Sequence, residues 1–483
     1  MPSLNKLLKT IEKNNQKADL DMVRLAFEFA NKAHEGQKRL SGEPYINHSM
    51  ATAQTLAEIK ADMPTIIAGI LHDVPEDTDV TLKKVEKDFG KEVSTLIKGI
   101  TKLSTVKYRG IDRYVENLKK MFVAAAQDYR VMIIKFADRL HNLKTLNHQP
   151  EHKQKRIAEE TLKIYAPIAG LLGIWHLRWQ LEDECFKYLY PKEYSELKDK
   201  YEIKQQKQRD KLIGVVTNNL SKEAKKNKLK YEISGRFKHL YSIWLKMKNE
   251  HKKFNEIYDV FAMRIIVDNV SDCYKMLGII HSLWMPKKDR FKDYISIPKP
   301  NGYRTLHTTV FGPDGKLVEF QIRTMQMHEE ALFGVAAHWR YKNPTKTHST
   351  WIDEILKIQK ISKNNKDYMK ELKFDIFSDR IFIFTPKGDV IDLPTEATPV
   401  DFAYHVHTEI GNKCVSAIIN EKMEPLNTKL KNGDLAEIII DKNRKGPNID
   451  WLKFVKTSTA KEHIRRHAKN KGIISSLIGK IRP

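Results

Sequence analysis

The sequence predicts a multidomain chain: an all-α N-terminal domain, a mixed α/β (α+β) domain, and a small β-rich module near the C-terminus. Length, a change of hydrophobic period and net charge predict it. The 483 residues suggest about three domains at roughly 150 residues each. Apolar residues recur every three or four positions before Ile257 and alternate after it. The 85 Lys plus Arg against 61 Asp plus Glu give a net charge of +24, which attracts phosphate-rich ligands such as nucleotides, RNA or acidic membranes. Hydrophobic residues at 41% and charged residues at 30% supply several cores and argue against disorder.

The first segment, 1–195, is read as helical. In VMIIKFADRLHNLKTL, Ile133, Phe136, Ala137, Leu140 and Leu143 form a buried stripe, while Asp138, Asn142 and Thr145 form a polar one beside it. The second segment, 196–342, begins with a Lys-rich, helix-prone stretch to about 253 that reads as a solvated helical face. After Ile257, YDVFAMRIIVD is an apolar run, and LVEFQIRT puts Val318, Phe320 and Ile322 on one face and Glu319, Gln321 and Arg323 on the other. A polar linker is expected over 343–379. The module over 380–441 opens with RIFIFTPKGDVIDLP, a hairpin turning at Pro386–Lys387–Gly388. A basic helical tail, 442–483, closes the chain; from Leu452 on, nine Lys or Arg face one acidic residue, Glu462.

Cys185, Cys273 and Cys414 are too far apart for a Cys-x-x-Cys pair, which excludes a zinc ribbon or disulfide scaffold. The N-terminus lacks a signal-peptide core, and no segment approaches the about 18 apolar residues of a membrane span. A reduced, cytoplasmic protein without membrane contact is expected.

Two constellations carry chemistry. His48, the pair His72–Asp73, and Asp138 supply two imidazoles and two carboxylates from three helical segments, a donor set suited to manganese, iron or zinc. A divalent ion there would lower the pKa of a water molecule for attack at phosphorus. In HDVPEDT, Pro75 is expected to break the helix, turning Glu76 and Asp77 back to orient that water or to act as general acid/base. In the second constellation, Arg236, Lys238 and His239 precede a helix with Ser242 and Lys246, a place to hold a polyphosphate. Asp259 opens a strand and Glu319 lies on the polar face of another, the two carboxylates that a Mg²⁺-dependent attack of a hydroxyl on a phosphoanhydride needs. Between them, Asn301-Gly302 makes a turn, Tyr303 offers a ring for base stacking, and Lys299, Arg304 and His307 face phosphate.

The His…His-Asp…Asp order resembles the HD-domain phosphohydrolases. Together with SGEPYINH, HDVPEDT, KFADRLHN, IYDVFAMR, RFKDYISIPKPNGYRTLHT and VEFQIRTMQMHEEALFGVAAHW, it resembles the long RelA/SpoT-homologue family of (p)ppGpp synthetase/hydrolases from about residue 20 to 470. The resemblance implies an HD-type hydrolase domain, a nucleotidyltransferase-like synthetase domain and a β-grasp-like TGS domain. It implies a bifunctional enzyme that moves pyrophosphate from ATP to the 3′-hydroxyl of GDP or GTP with Mg²⁺, and hydrolyses (p)ppGpp with Mn²⁺. Carried over, His48, His72, Asp73 and Asp138 would hold Mn²⁺, Glu76 and Asp77 would activate water, and Arg39, Asn142 and Thr145 would contact the guanosine substrate. Asp259 would bind Mg²⁺, Glu319 would act as base, Tyr303 would stack on guanine, and Arg236 and Arg264 would sandwich adenine. Lys238, Ser242, Lys246, Lys299, Asn301 and His307 would bind phosphates or the acceptor nucleotide.

His407, in DFAYHVHTEIG, falls at what reads as a strand-to-helix turn, where the family contacts uncharged tRNA on the ribosome; KEHIRRHAKN suits an RNA backbone. The sequence departs from the family at Leu40, where a basic residue is usual, and at Gly170-Leu171, where His-Arg is usual. No stretch up to Pro483 resembles the zinc-finger-like and ACT-type domains of long members, so amino-acid sensing through an ACT fold is not expected. A hydrolase with an inactive synthetase domain, and a ribosome- or tRNA-binding regulator, remain the alternatives.

Overall fold

A computed structural model describes residues 3–104, 119–125, 127–257, 261–288, 290–296, 298, 303–315, 317–334, 358, 364, 368 and 380–470. The chain forms two compact units, Met1–Thr105 with Ala124–Thr345, and Val106–Val123 with Lys346–Pro483.

The first unit begins as a helical lobe. Ser3, Asp19 and Asp62 cap the helices Leu4–Asn14, Leu20–Ala33 and Met63–Leu71 with side-chain oxygens that accept free backbone N–H groups. The helix Ile46–Glu58 packs against Leu4–Asn14, Met63–Leu71 and Arg130–Lys144. In the last of these, Ile133, Phe136, Ala137, Leu140 and Leu143 are buried, as the spacing predicts, and Asp138 is buried with them. Met63–Leu71 ends one residue before His72, and Pro75 lies in the first turn of a new short helix, Val74–Asp77. Pro75 therefore starts a helix instead of breaking one, because its missing N–H is no loss in a first turn.

The second lobe of this unit is a five-stranded sheet, order β1-β2-β5-β4-β3, made of β1 (Tyr231–Phe237), β2 (Phe261–Val267), β3 (Lys292–Asp293), β4 (Leu306–Phe311) and β5 (Leu317–Thr324). β2 and β5 run parallel, and the other pairs are antiparallel. β1 lies inside the stretch expected to be helical to about 253. Its signal was the alternation of Tyr231 and Ile233 with Glu232 and Ser234. The Lys-rich stretch does form a helix, Pro191–Lys226, but its last turns are not a solvated face: Val216, Leu220 and Ala224 are buried in the sheet core with Met263, Ile265, Phe320 and Ile322.

The two lobes share contacts. Asp183, on the helix Trp175–Leu189, accepts the Tyr241 N–H at 2.9 Å and so caps Leu240–Glu250, whose own N-cap, His239, makes no side-chain cap bond. Trp179 stacks on His239 with ring centroids 4.2 Å apart. Lys60 pairs with Glu329 at 2.5 Å and lies over the Phe333 ring. Gly334, at φ +53, has no room for a side chain because a Cβ would overlap the Leu172 carbonyl and Gly173. Gly170 leaves space for the Arg178 guanidinium, which pairs with Glu182 at 2.8 Å and stacks on Trp175.

In the second unit, β6 (Arg380–Phe384) and β7 (Val390–Pro394) form the expected hairpin, and a three-stranded sheet has the order β10-β8-β9, with β8 at Cys414–Ile419, β9 at Lys422–Glu424 and β10 at Ala436–Ile440. Phe384 bridges Leu435 in parallel, tying the hairpin to that sheet. Asp401 is fully buried and accepts the backbone N–H groups of Thr398, Lys456 and Thr457 at 2.8–2.9 Å. His407 is exposed between the helices Pro399–Val406 and Thr408–Lys413, so the expected strand-to-helix turn is a helix-to-helix junction. The basic tail is helical over Ser458–Asn470, and its Ala460 and Ile464 pack on Val400 and Tyr404. Of the expected linker, only residues 358, 364 and 368 are described; the rest, and 471–483, lie outside the described residues. No described helix is long and apolar enough to cross a membrane.

Burial, partly offset by the Tyr241 and Leu240 N–H groups, pushes the Asp183 carboxyl up to about 6. A raised carboxyl favours the folded state below its unfolded pKa, and that stability is lost as pH rises through about 6. Asp183→Asn keeps the acceptor without the charge. It is expected to unfold with wild type at pH 4 and above wild type at pH 8, while Asp183→Ala loses about 1 kcal/mol at pH 5; denaturant titrations at the three pH values check this.

Candidate active sites

The first site lies in the helical lobe. His48 Nε2 is 3.4 Å from Asp73 Oδ2 and 3.4 Å from Asp138 Oδ1, and His72 Nε2 is 3.2 Å from Asp73 Oδ1. The ligand atoms of His48, His72 and Asp138 lie within 4.8 Å of one another, and all three residues are buried. Hydrogen bonds assign both imidazole tautomers. His72 Nδ1 donates to the Gly69 carbonyl at 2.9 Å, leaving Nε2 as a bare lone pair with no hydrogen-bond partner. His141 Nδ1 accepts from Arg39 at 3.4 Å, so the 2.8 Å contact between His48 Nδ1 and His141 Nδ1 is donated by His48. Its Nε2, too, is left facing carboxylates.

The facing carboxylates draw positive charge, a proton or a cation, to His48 Nε2. Burial disfavours charge on His48, yet the Asp138 and Asp73 carboxylates outweigh it and raise its pKa. Burial opposes ionisation of Asp138, but Lys135 at 2.8 Å and the His48 ring hold its carboxyl well below the usual range; Asp73 is likewise lowered against burial by His72 and His48. Burial, with His48 and Arg39 nearby, pushes His141 down to about 3, consistent with its role as acceptor. Two buried imidazole Nε2 atoms facing two anionic carboxylates is an arrangement that a divalent cation stabilises, so the residues fit a metal.

Around this centre, Asn142 donates to Asp138 and accepts from Arg39, both at 2.5 Å. Thr145 caps its own helix, bonding the His141 and Asn142 carbonyls. Leu40 beside Arg39 is 72% exposed. Glu76 and Asp77 are exposed on the short helix, and Asp77 Oδ2 accepts from the Tyr45 hydroxyl at 2.7 Å. Tyr45 and His141 escaped the sequence reading. Each stands three positions from a candidate ligand, His48 or Asp138, on the same helical face, which was the available signal.

The second site is a cleft of about 370 Å³ on the polar face of the sheet. The register Ala262↔Glu319 and Arg264↔Gln321, with Arg236↔Ala262 and His307↔Gln321, brings these side chains onto one face. Arg236 donates to Gln321 at 3.3 Å, Gln321 to Glu319 at 3.1 Å, and His307 Nδ1 lies 3.3 Å from Glu319. The Tyr303 hydroxyl is 3.0 Å from His307 Nε2. Arg323, expected on an outward polar face, is 1% exposed, and its Nε has no hydrogen-bond partner; the same holds for Nε of Arg264. Burial, set against Tyr303 and joined by Arg264 and Arg236, lowers Arg323 to about 10. A cleft with three guanidiniums and unsatisfied N–H groups is built for a polyanion.

Trp175, His176 and Trp179 of the helical lobe line the same cleft, which the sequence did not reveal because they are distant in the chain. Ser242 sits in the first turn of Leu240–Glu250, Lys246 is 3.9 Å from Glu250, and the Lys238 carbonyl accepts from Tyr201. Asp259, Lys299 and Asn301 lie outside the described residues.

Comparison with known proteins gives three matches: an HD domain over residues 26–175, the region found in RelA/SpoT proteins over 235–346, and a TGS domain over 381–440. The chain is 44% identical to a GTP pyrophosphokinase of Myxococcus xanthus, covering 94% of this chain and 61% of that protein. It is 45% identical to a guanosine-3′,5′-bis(diphosphate) 3′-pyrophosphohydrolase of Aquifex aeolicus, covering 92% and 64%. It is 42% identical to the bifunctional (p)ppGpp synthase/hydrolase SpoT of Escherichia coli K12, covering 97% and 67%. The chain thus spans about six tenths to two thirds of these relatives. With the HD domain, the RelA/SpoT region and the TGS domain in this order, the chain belongs to the RelA/SpoT family.

Proposed function

We propose that this chain both makes and removes (p)ppGpp, using ATP and GDP or GTP in the sheet cleft and hydrolysing the product in the helical site. The observation that carries the reading is the convergence of the buried His48 and His72 Nε2 atoms on the Asp73 and Asp138 carboxylates. Relatives named for each of the two activities support it.

In the helical site, His48, His72, Asp73 and Asp138 would hold Mn²⁺. When bound, the ion lowers the pKa of a water and offsets charge at phosphorus. Glu76 and Asp77, exposed at the rim, take the proton of the attacking water as the bond from the 3′-oxygen to phosphorus breaks. Arg39, Asn142 and Thr145 sit on the side where the guanosine moiety binds, and Arg39 exchanges its bond to Asn142 for one to the ligand.

In the cleft, Arg236, Arg264 and Arg323 supply the field for the ATP polyphosphate, with Lys238, Ser242, Lys246, Lys299, Asn301 and His307 contacting phosphates or acceptor. Glu319 accepts the 3′-hydroxyl proton, and Asp259 would hold Mg²⁺. Tyr303 presents its ring to guanine. The shared lobe contacts through Lys60, Asp183 and Trp179 give a physical route for antagonism between the sites. Exposed His407 and the basic helix Ser458–Asn470 support contact with uncharged tRNA and ribosomal RNA.

Mn²⁺ at 100 times its dissociation constant is expected to stabilise the wild type by about 2.7 kcal/mol and His72→Ala not at all, read from unfolding curves. Glu319→Gln is expected to lower synthesis from ATP and GDP about 100-fold or more while hydrolysis of ppGpp persists. Anion-exchange analysis of both reactions resolves the two activities.

A further inference from the structure

The Tyr45 hydroxyl stands between two carboxylates. It is 3.0 Å from Asp73 Oδ2 and 2.7 Å from Asp77 Oδ2. One of these belongs to the buried His–Asp centre; the other is an exposed side chain on a four-residue helix. An exposed aspartate on so short a helix ordinarily samples several rotamers, and its distance from the centre would vary with them.

The ring that carries the hydroxyl is held on several sides. It stacks on His34, with centroids 4.6 Å apart and planes within 17°, and meets His48 edge-on at 6.0 Å. The Arg39 guanidinium lies 5.6 Å from its centroid. Its backbone N–H donates to the Gln37 carbonyl at 3.1 Å. Gln37 reaches the other carboxylate's own backbone: its side-chain amide donates to the Asp77 carbonyl at 2.9 Å while its Oε1 accepts from His34 Nδ1 at 2.8 Å. His34, Gln37 and Tyr45 thus form one layer that fixes both the main chain and the carboxylate of Asp77.

We propose that Tyr45 is a positioning residue of the hydrolase site: its hydroxyl sets the spacing between the water-activating carboxylate of Asp77 and the metal-ligating carboxylate of Asp73. The proposal rests on the helical site being a Mn²⁺-dependent hydrolase. In this role Tyr45 acts through the two aspartates. A purely structural role would need only the ring, whose stacking on His34 and Arg39 survives in Tyr45→Phe.

The test is a double-mutant cycle on the full chain with Tyr45→Phe, Asp77→Asn and the double variant, combined with Mn²⁺ titration of the metal-free proteins by electron paramagnetic resonance. Tyr45→Phe is expected to lower kcat for ppGpp hydrolysis at saturating Mn²⁺ by about 10- to 100-fold with KM within about twofold, and to weaken Mn²⁺ binding by about tenfold. In the Asp77→Asn background the same substitution is expected to change kcat by less than about twofold. Full additivity of the two kcat losses, or an unchanged kcat and Mn²⁺ affinity in Tyr45→Phe, would overturn the proposal. A wild-type protein that binds Mn²⁺ but does not hydrolyse ppGpp would instead overturn the hydrolase reading, and the Mn²⁺ titration would still decide the Asp73 half of the proposal.

Discussion

Two buried imidazoles whose Nε2 atoms converge on two carboxylates are the constraint around which the helical lobe is arranged. His48 and His72 are each 1% exposed, and their Nδ1 protons are committed, one to His141 and one to the Gly69 carbonyl. Buried groups of like polarity that face one another are costly unless a cation lies between them. The surrounding packing holds the arrangement: the helix Ile46–Glu58 is buried along much of its length and is wedged among three others. The chemistry assigned to the lobe follows from that enforced convergence.

The sheet cleft solves a related problem with opposite charge. Arg236, Arg264 and Arg323 converge on the cleft, and the carboxylate of Glu319 nearby is already engaged by Gln321 and His307. An excess of buried cation is stable only if the apolar face of the same sheet supplies enough burial. Met263, Ile265, Phe320 and Ile322 do so, together with Val216, Leu220 and Ala224 from the long helix. One face of the sheet thus pays for the other. The arrangement places two sites of opposite electrostatic character in one compact unit, joined by Asp183, Lys60 and the Trp179–His239 stack.

How much of this was legible in the sequence depended on whether the signal was local. The stripe from Ile133 to Leu143 and the alternation of LVEFQIRT carry their period in the chain, and the apolar faces are buried as read, although Gln321 and Arg323 on the polar face of the strand are buried as well. The residues of the helical centre came from motif order, and their convergence depended on helix packing that periodicity does not encode. Strand β1 was missed because a Lys-rich helical stretch runs up to it and Gly235 interrupts its alternation. Pro75 was read as a breaker because proline is compatible with either the end of one helix or the first turn of the next, and only the turn at His72–Asp73 distinguishes them. Trp175, Trp179 and the burial of Arg323 were invisible for a different reason: they depend on contact between lobes far apart in the chain.

The proposed convergence of His48, His72, Asp73 and Asp138 on one divalent cation can be seen crystallographically. The measurement is anomalous diffraction at the manganese absorption edge from crystals of the protein soaked in Mn²⁺. A cation held by all four residues gives a single strong anomalous peak in the helical lobe within bonding distance of both Nε2 atoms and of oxygens from both aspartates. A peak elsewhere in that lobe, or none at a Mn²⁺ concentration that supports hydrolysis, would contradict it.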